Sequence, residues 1–241
     1  MPVLLLAQGD PTSKDLLRRA IEARYGLRPP TLESLRIDFK GRVRAKLGPI
    51  ATWVPVDATA YFSFPTAMRW DFAVKAVGVQ IGSGLEAFDG TTYRSARGGK
   101  AAAVILNPDL ISSMQRRLWA IASVLLTPLG EHFVKLSSPG QQTLQVTNTQ
   151  IDASILLHLR GDHTLDFVEV GCLNPDSDTQ QQFTLRLSDE QRLINDLMLP
   201  CKITSFWDGE PYFEVEPQTA EVNPVIPEAM FSLAGDIKQG V

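Results

Sequence analysis

No stretch of this chain approaches the ~20 consecutive apolar residues of a membrane-spanning helix. The longest apolar, uncharged segment, "LWAIASVLLTPL" at 118–129, has twelve residues. Cysteine is scarce. Cys172 and Cys201 are the only two among 241 residues, and neither belongs to a CxxC pair. Neither a cysteine zinc site nor a disulfide-dense scaffold is therefore expected. The two thiols either form one bridge or remain as two buried thiols. Histidine is also scarce, with three in the chain. His132, His158 and His163 show no HExxH spacing, and His158 and His163 flank the turn "LRGDH". GxSxG, P-loop and GxGxxG motifs are all missing. "ARGGK" at 96–100 has glycines able to cradle an anion, but it lacks P-loop spacing and a following Ser or Thr, and reads as a loop. There is no excess of positive charge. The net charge is −4, which speaks against a nucleic-acid partner. No catalytic constellation assembles, no metal site forms and no cofactor motif appears, so the expectation is a non-catalytic protein.

What the chain does have is alternation. In "LRIDFKGRVRAKL", residues 35–47, every odd position is apolar or small and every even position is charged. This period of two is a strand with one dry face and one wet face, far longer than usual. Ahead of it, Thr12 or Ser13 caps a helix carrying Leu16, Leu17, Ala20 and Ile21, which Gly26 and Pro29-Pro30 end. After it, 53–64 and 67–76 alternate again, and two further strands flank Asp89-Gly90, a strong hairpin signal. Residues 108–134 change to helical spacing, with Pro108 at a first helical position. From 143 onward strands return, at about 143–149, 151–160, 164–172, 182–188, 191–199, 200–207 and 211–222. Neither a repeat nor a Pro/Gly/Ser-rich linker divides the chain.

The fold class is α+β: an antiparallel sheet of about eleven or twelve strands, which must curl or close, with an N-terminal helix and an apolar helical insert. A short start, 1–12, is a tail or the remnant of a signal peptide with Ala7 as a plausible cleavage residue. Residues 13–241 form one domain, with the insert at about 108–134. The dry concave face needs a cover, and the insert is suited to it. Small residues on the dry faces (Gly41, Ala45, Ala58, Ala60) stand beside large ones and leave room for an apolar pocket. Alternation alone assigns Ile37, Phe39, Val43, Phe62, Phe64, Trp70, Phe72, Ile81 and Leu85 to that trough, and the insert adds Leu118, Trp119, Ile121 and Leu125. Asp57, Thr59 and Tyr61 fall on the opposite face.

At "FPTAMRWDF…LEAFDGTTY", residues 64–93, the chain resembles the LolA-like superfamily of periplasmic lipoprotein and lipid carriers. Pro65, Trp70 and Asp89-Gly90 carry the likeness, and near the C-terminus so do Val222, Asn223, Ile226 and Phe231. At Phe64 the lipoprotein carriers have an arginine, and at Arg94 the family often has an aromatic residue. The resemblance implies an unclosed half-barrel with helices over its concave apolar face. It also implies a periplasmic location, binding of lipid or of an acylated lipoprotein, and a membrane-bound donor or acceptor protein as a possible partner. Ile37, Phe39 and Val43 would then face acyl chains. Two other readings stay open: a scaffolding domain whose trough is filled by its own helices, and an enzyme acting on an apolar substrate.

Overall fold

The computed structural model describes residues 5–47, 50–76, 79–175 and 177–233. Ala7 is fully buried, and Gln8 adds a parallel bridge to Lys135. Helix α1 (Pro11–Tyr25) begins one residue before Thr12 and two before Ser13, the expected caps. Asp10 takes the cap instead, its carboxylate accepting the Ser13 N–H at 3.0 Å, while Pro11 occupies the first turn, where a missing N–H costs nothing. Gly26 closes the helix at φ 67°, donating its N–H to Glu22 at 2.8 Å.

Six strands follow as a meander: β1 (Ser34–Leu47), β2 (Ile50–Ser63), β3 (Ala67–Ala76), β4 (Val79–Phe88), β5 (Tyr93–Arg97) and β6 (Ala103–Ile105). Helix α2 (Pro108–Ser123) and a 3-10 turn (Thr127–Gly130) form the insert. The chain continues through β7 (Val134–Gly140), β8 (Thr143–Asn148), β9 (Ala153–Leu159), β10 (Leu165–Asn174), β11 (Thr179–Leu187), β12 (Gln191–Ile194), β13 (Leu197–Pro200), β14 (Ile203–Trp207), β15 (Glu210–Val222) and the short α3 (Ala229–Ser232). Thirteen strands make one antiparallel sheet in the order β6-β5-β4-β3-β2-β1-β15-β14-β11-β10-β9-β8-β7, and β12 with β13 forms a separate hairpin. The two ends of this order, β6 and β7, do not pair, so the sheet curves without closing. Early and late strands meet at the β1–β15 seam. Asn223, at φ 54°, secures that seam. Its side chain accepts the Glu33 N–H at 2.8 Å and donates to the Thr31 carbonyl at 2.9 Å.

Two cores share the concave side. The first packs α1 through Leu16, Leu17, Ala20 and Ile21 against one face of α2 and the inner residues of β7 to β11. The second lines β1 to β5 and holds the other face of α2 together with Leu197 and Leu199 of the β12–β13 hairpin. On the convex side α3 rests on β3 and β4, burying Phe231 and Leu233. Burial alternates along β1 as expected, with Leu35, Ile37 and Phe39 all under 10% exposed and Arg36, Asp38 and Lys40 more open. No described helix is long and apolar enough to cross a membrane.

Two strand readings change. The segment 191–199 is not one strand but a hairpin, because Asn195 and Asp196 adopt positive φ values of 45° and 65°. Positive φ at both central residues is the condition of a tight hairpin turn, and Asn and Asp tolerate it best. "KLSSPG" at 135–140, polar enough to read as a turn, is most of β7, whose exposed edge position leaves little apolar signal. Both cysteines are free: Cys172 is buried, which pushes its thiol up to about 11, and Cys201 is partly exposed.

The β4–β5 turn carries a testable charge. Asp89 is partly buried, which opposes its ionisation. It also accepts the Thr92 N–H at 2.7 Å, meets the Arg94 guanidinium at 2.8 Å and accepts the Thr91 N–H at 3.0 Å. These contacts outweigh the burial and bring its pKa from 3.8 down to about 2. A depressed folded-state pKa stabilises above the unfolded value and ceases to do so as pH falls through the folded one. Asp89→Asn should therefore cost about 2 kcal/mol at pH 7. Urea melts should show that gap shrinking between pH 5 and pH 2.5. A gap constant with pH would assign the effect to the turn geometry rather than to the charge.

Candidate functional site

Along β2, Ala58 and Ala60 face inward, flanked in register by Ile37 and Phe39 on β1 and by Trp70 and Phe72 on β3. Two small residues between large ones make a trough. Across it Phe39 and Trp70 bring their ring centroids to 5.5 Å, and Trp70 continues to Phe213 of β15 at 6.2 Å. Helix α2 roofs the trough with Met114 and Ile121, at the i, i+7 spacing of one helix face, and Leu125 of the turn that follows continues the roof. Arg24 of α1 holds this roof at its end. Its guanidinium donates to the Val124 carbonyl, and the neighbouring Tyr25 hydroxyl donates to the Leu125 carbonyl at 2.8 Å. A cation at a helix C-terminus satisfies carbonyls that have no helical partner. Burial lowers the Arg24 pKa and raises that of Tyr25.

Between trough and roof the side chains leave a cavity of about 880 Å³, near the upper end of the ~300–1,000 Å³ usual for small-molecule sites. Its lining includes Ile37, Phe39, Val43, Phe62, Trp70, Phe72, Ile121 and Leu125 among the expected residues. Exposed Arg44, Asp208 and Glu210 mark its mouth.

Five expected residues lie elsewhere. Leu118 packs in the second core without reaching the cavity surface. Phe64 stacks on Phe62 at 5.7 Å, wedged between the two cores. Trp119 points the other way along α2: it is fully buried in the first core, its indole N–H donating to the Val146 carbonyl at 3.3 Å. Ile81 is 58% exposed, and Leu85 lines a shallow groove of about 560 Å³ with the outward-facing Asp57 and Asp71.

The last two share a cause. Trp70 pairs with Glu86 and Phe72 with Gly84, so the inward face of β4 reads Gly82, Gly84, Glu86 and Phe88. The Phe72 ring occupies the space over Gly84, where a Cβ would lie 2.3 Å from Cζ. Apolar count along β4 favoured Ile81 and Leu85. Complementarity across the strand pair decided the opposite parity. Trp207 lines the cavity, while Phe206 sits on the outer face, where Arg186 lies over both Phe167 and Phe206.

Reasoning from alternation missed the polar part of the wall. Glu86, Arg97 and Arg117 all line the cavity. Arg117 comes from α2 and reaches Glu86 at 3.5 Å, so roof and trough meet through an ion pair. Burial works against the Arg117 charge, but the carboxylate of Glu86 and then Tyr93 raise its pKa on balance. Among the described residues no group of three His, Cys, Asp or Glu side chains could hold a metal ion.

No protein-family model matches the chain, and no curated protein matches it. Solved structures of similar shape were found. A DUF1329 family protein from Desulfovibrio piger is 11% identical, aligned over 91% of this chain and 95% of its own, with a TM-score of 0.48. A LolA superfamily protein from Nitrosomonas europaea is 12% identical over 92% and 98%, with a TM-score of 0.49. A domain described as outer membrane lipoprotein-sorting, from Vibrio parahaemolyticus, is 10% identical over 92% and 97%, with a TM-score of 0.48. The chain is thus similar, at low sequence identity, to solved structures of the LolA superfamily and of the DUF1329 family along more than nine-tenths of its length.

Proposed function

We propose that the protein binds and carries lipid or lipoprotein acyl chains in this cavity, without catalysis. The observation that supports the reading is the space itself. A scaffold that filled its own trough would leave none, whereas about 880 Å³ lies open between α2 and the aromatic floor. An acyl chain gains ~0.8 kcal/mol per buried CH₂, so an apolar trough is sufficient to hold one. The resemblance of residues 64–93 extends the proposal to the periplasm, which fractionation of the host cell would test.

The test of the carrier reading is native mass spectrometry of protein from its own host, followed by organic extraction and by uptake of a fluorescent fatty acid. A co-purifying mass that extracts as lipid would support a carrier and name its cargo. A clean apo mass with no uptake would sink the reading. Variants check the inward face. Phe72→Asp puts a carboxylate on the cavity wall and should lower uptake at least about tenfold. Ile81→Asp and Arg42→Asp alter exposed side chains and should leave uptake unchanged. Equal behaviour of all three would mean that the bound chain lies outside this cavity.

A further inference from the structure

Glu86 is an anomaly in an apolar wall. Its side chain is 11% exposed, and a carboxylate held away from water costs several kcal/mol unless it is paired. Two guanidinium groups supply the pairing. Nη2 of Arg117 stands 3.5 Å from one carboxylate oxygen, and Nη2 of Arg97 stands 3.6 Å from the other. For Arg117 this is a single contact at the long end of the range, not the bidentate fork of ~2.8 Å that satisfies an arginine. One carboxylate against two guanidiniums leaves the cluster at +1. The phenol of Tyr93, 4% exposed, lies beside the pair. Burial, and then Glu86, raises its pKa, so it stays a neutral O–H.

Arg117 has unused capacity. Its Nη2 is also 3.4 Å from the Met114 sulfur, a weak acceptor. Its Nε is buried and makes no hydrogen bond. A buried N–H without an acceptor is a standing cost, relieved by any oxygen that reaches it. The other charges on the cavity lining, Arg44, Asp208 and Glu210, sit at the mouth. There Arg44 and Glu210 approach to 3.6 Å, and Asp208 accepts the Gln182 N–H at 2.7 Å. By register Glu86 is level with Trp70, Ala60 and Ile37, whereas Arg44 is seven residues further along β1. That distance is on the order of 20 Å at ~3.3 Å per residue. The Glu86–Arg117 pair is therefore separate from the charges at the mouth, while Arg97, 51% exposed, carries the positive charge of the cluster from the pair out to solvent.

We propose that Glu86, Arg97 and Arg117 form the headgroup site of the cavity and select amphiphiles with a single negative charge, a carboxylate or a phosphodiester. This rests on the reading of the cavity as an acyl-chain site. A monoanionic headgroup would neutralise the cluster and give Nε of Arg117 the oxygen acceptor it lacks, with the Phe72–Trp70–Phe39 floor taking the chain. A neutral or cationic headgroup would do neither.

The experiment displaces a neutral fluorescent probe, 1-N-phenylnaphthylamine, with four amphiphiles that share a sixteen-carbon chain. They are palmitate, palmitoyl-lysophosphatidylglycerol, hexadecanol and hexadecyltrimethylammonium. Either or both anions should bind at least tenfold tighter than hexadecanol and the cation, and the comparison of the two anions separates a carboxylate ligand from a phosphodiester one. Arg117→Met should weaken the preferred anion at least tenfold and hexadecanol less than threefold. Glu86→Gln raises the local charge and should strengthen anion binding at least threefold, which keeps the test alive if Arg117→Met fails to fold. Equal affinity for hexadecanol and both anions in the native protein would overturn the headgroup site and leave the carrier reading standing. Anion preference that survives Arg117→Met would also overturn the headgroup site. Failure of all four to displace the probe would sink both readings.

Discussion

Replacing Trp119 by alanine will destabilise the protein by about 3–5 kcal/mol, the range for deleting a large buried aromatic side chain. Trp119 is wholly buried. It lies edge-on to Phe133 at 6.2 Å, within the core that joins α1, α2 and β7 to β11. Truncation opens a large void and leaves the Val146 carbonyl without the indole N–H that now reaches it at 3.3 Å. In a chain of 241 residues this amounts to a drop in Tm of roughly 10 °C. The variant also separates two roles for the residue. The sequence suggested a ligand contact, which predicts lost lipid uptake with a nearly native Tm. The structure seats Trp119 behind the roof helix, which predicts the reverse order: stability falls first, and binding falls only as the fold does. A Tm within about 2 °C of native would refute the packing argument.

Gly41→Ala should be nearly as damaging, at about 3 kcal/mol or more. Gly41 sits in β1 opposite Val215 of β15. A Cβ there would lie 2.0 Å from the Glu214 carbonyl oxygen and 2.8 Å from the Val215 Cα. Both obstacles are backbone, so no rotamer change relieves the clash; the two strands must part. They form the seam between the strands that come early and those that come late in the chain, and separating them strains both sides of the cavity at once. Gly171→Ala is the control, since nothing lies within 4 Å of a Cβ at that position. It should change stability by less than about 1 kcal/mol. Comparable urea midpoints for the two variants would show that β1 and β15 do not approach this closely in solution.

The cavity floor was legible in the chain from alternation alone wherever a strand had a strong charge row to set its parity. The Arg and Lys residues of β1 leave Ile37, Phe39 and Val43 one possible face, and β2 and β3 inherit it through register. On β4 the charge row is absent. Glycines at 82 and 84 and an acid at 86 occupy the inner face, and an apolar count there points the wrong way. What decided β4 was the volume of Phe72 across the strand pair, a property of two strands together. The same holds for α2. Helical spacing identified an apolar helix, yet its two apolar faces serve different cores, so Ile121 and Leu125 reach the cavity while Trp119 does not.

The sequence by itself determined the long one-sided strand, the Asp89-Gly90 hairpin, the presence of the two helices and the need for a curved sheet with an apolar cover. Each follows from local periodicity or turn chemistry within a few residues. Only the tertiary structure decided that β1 pairs with β15, that α2 leaves the trough partly open, and that Glu86 meets Arg97 and Arg117 inside it. Those contacts join residues far apart in the chain, and their positions depend on how side-chain volumes and charges fit across neighbouring strands, which no single-strand pattern records.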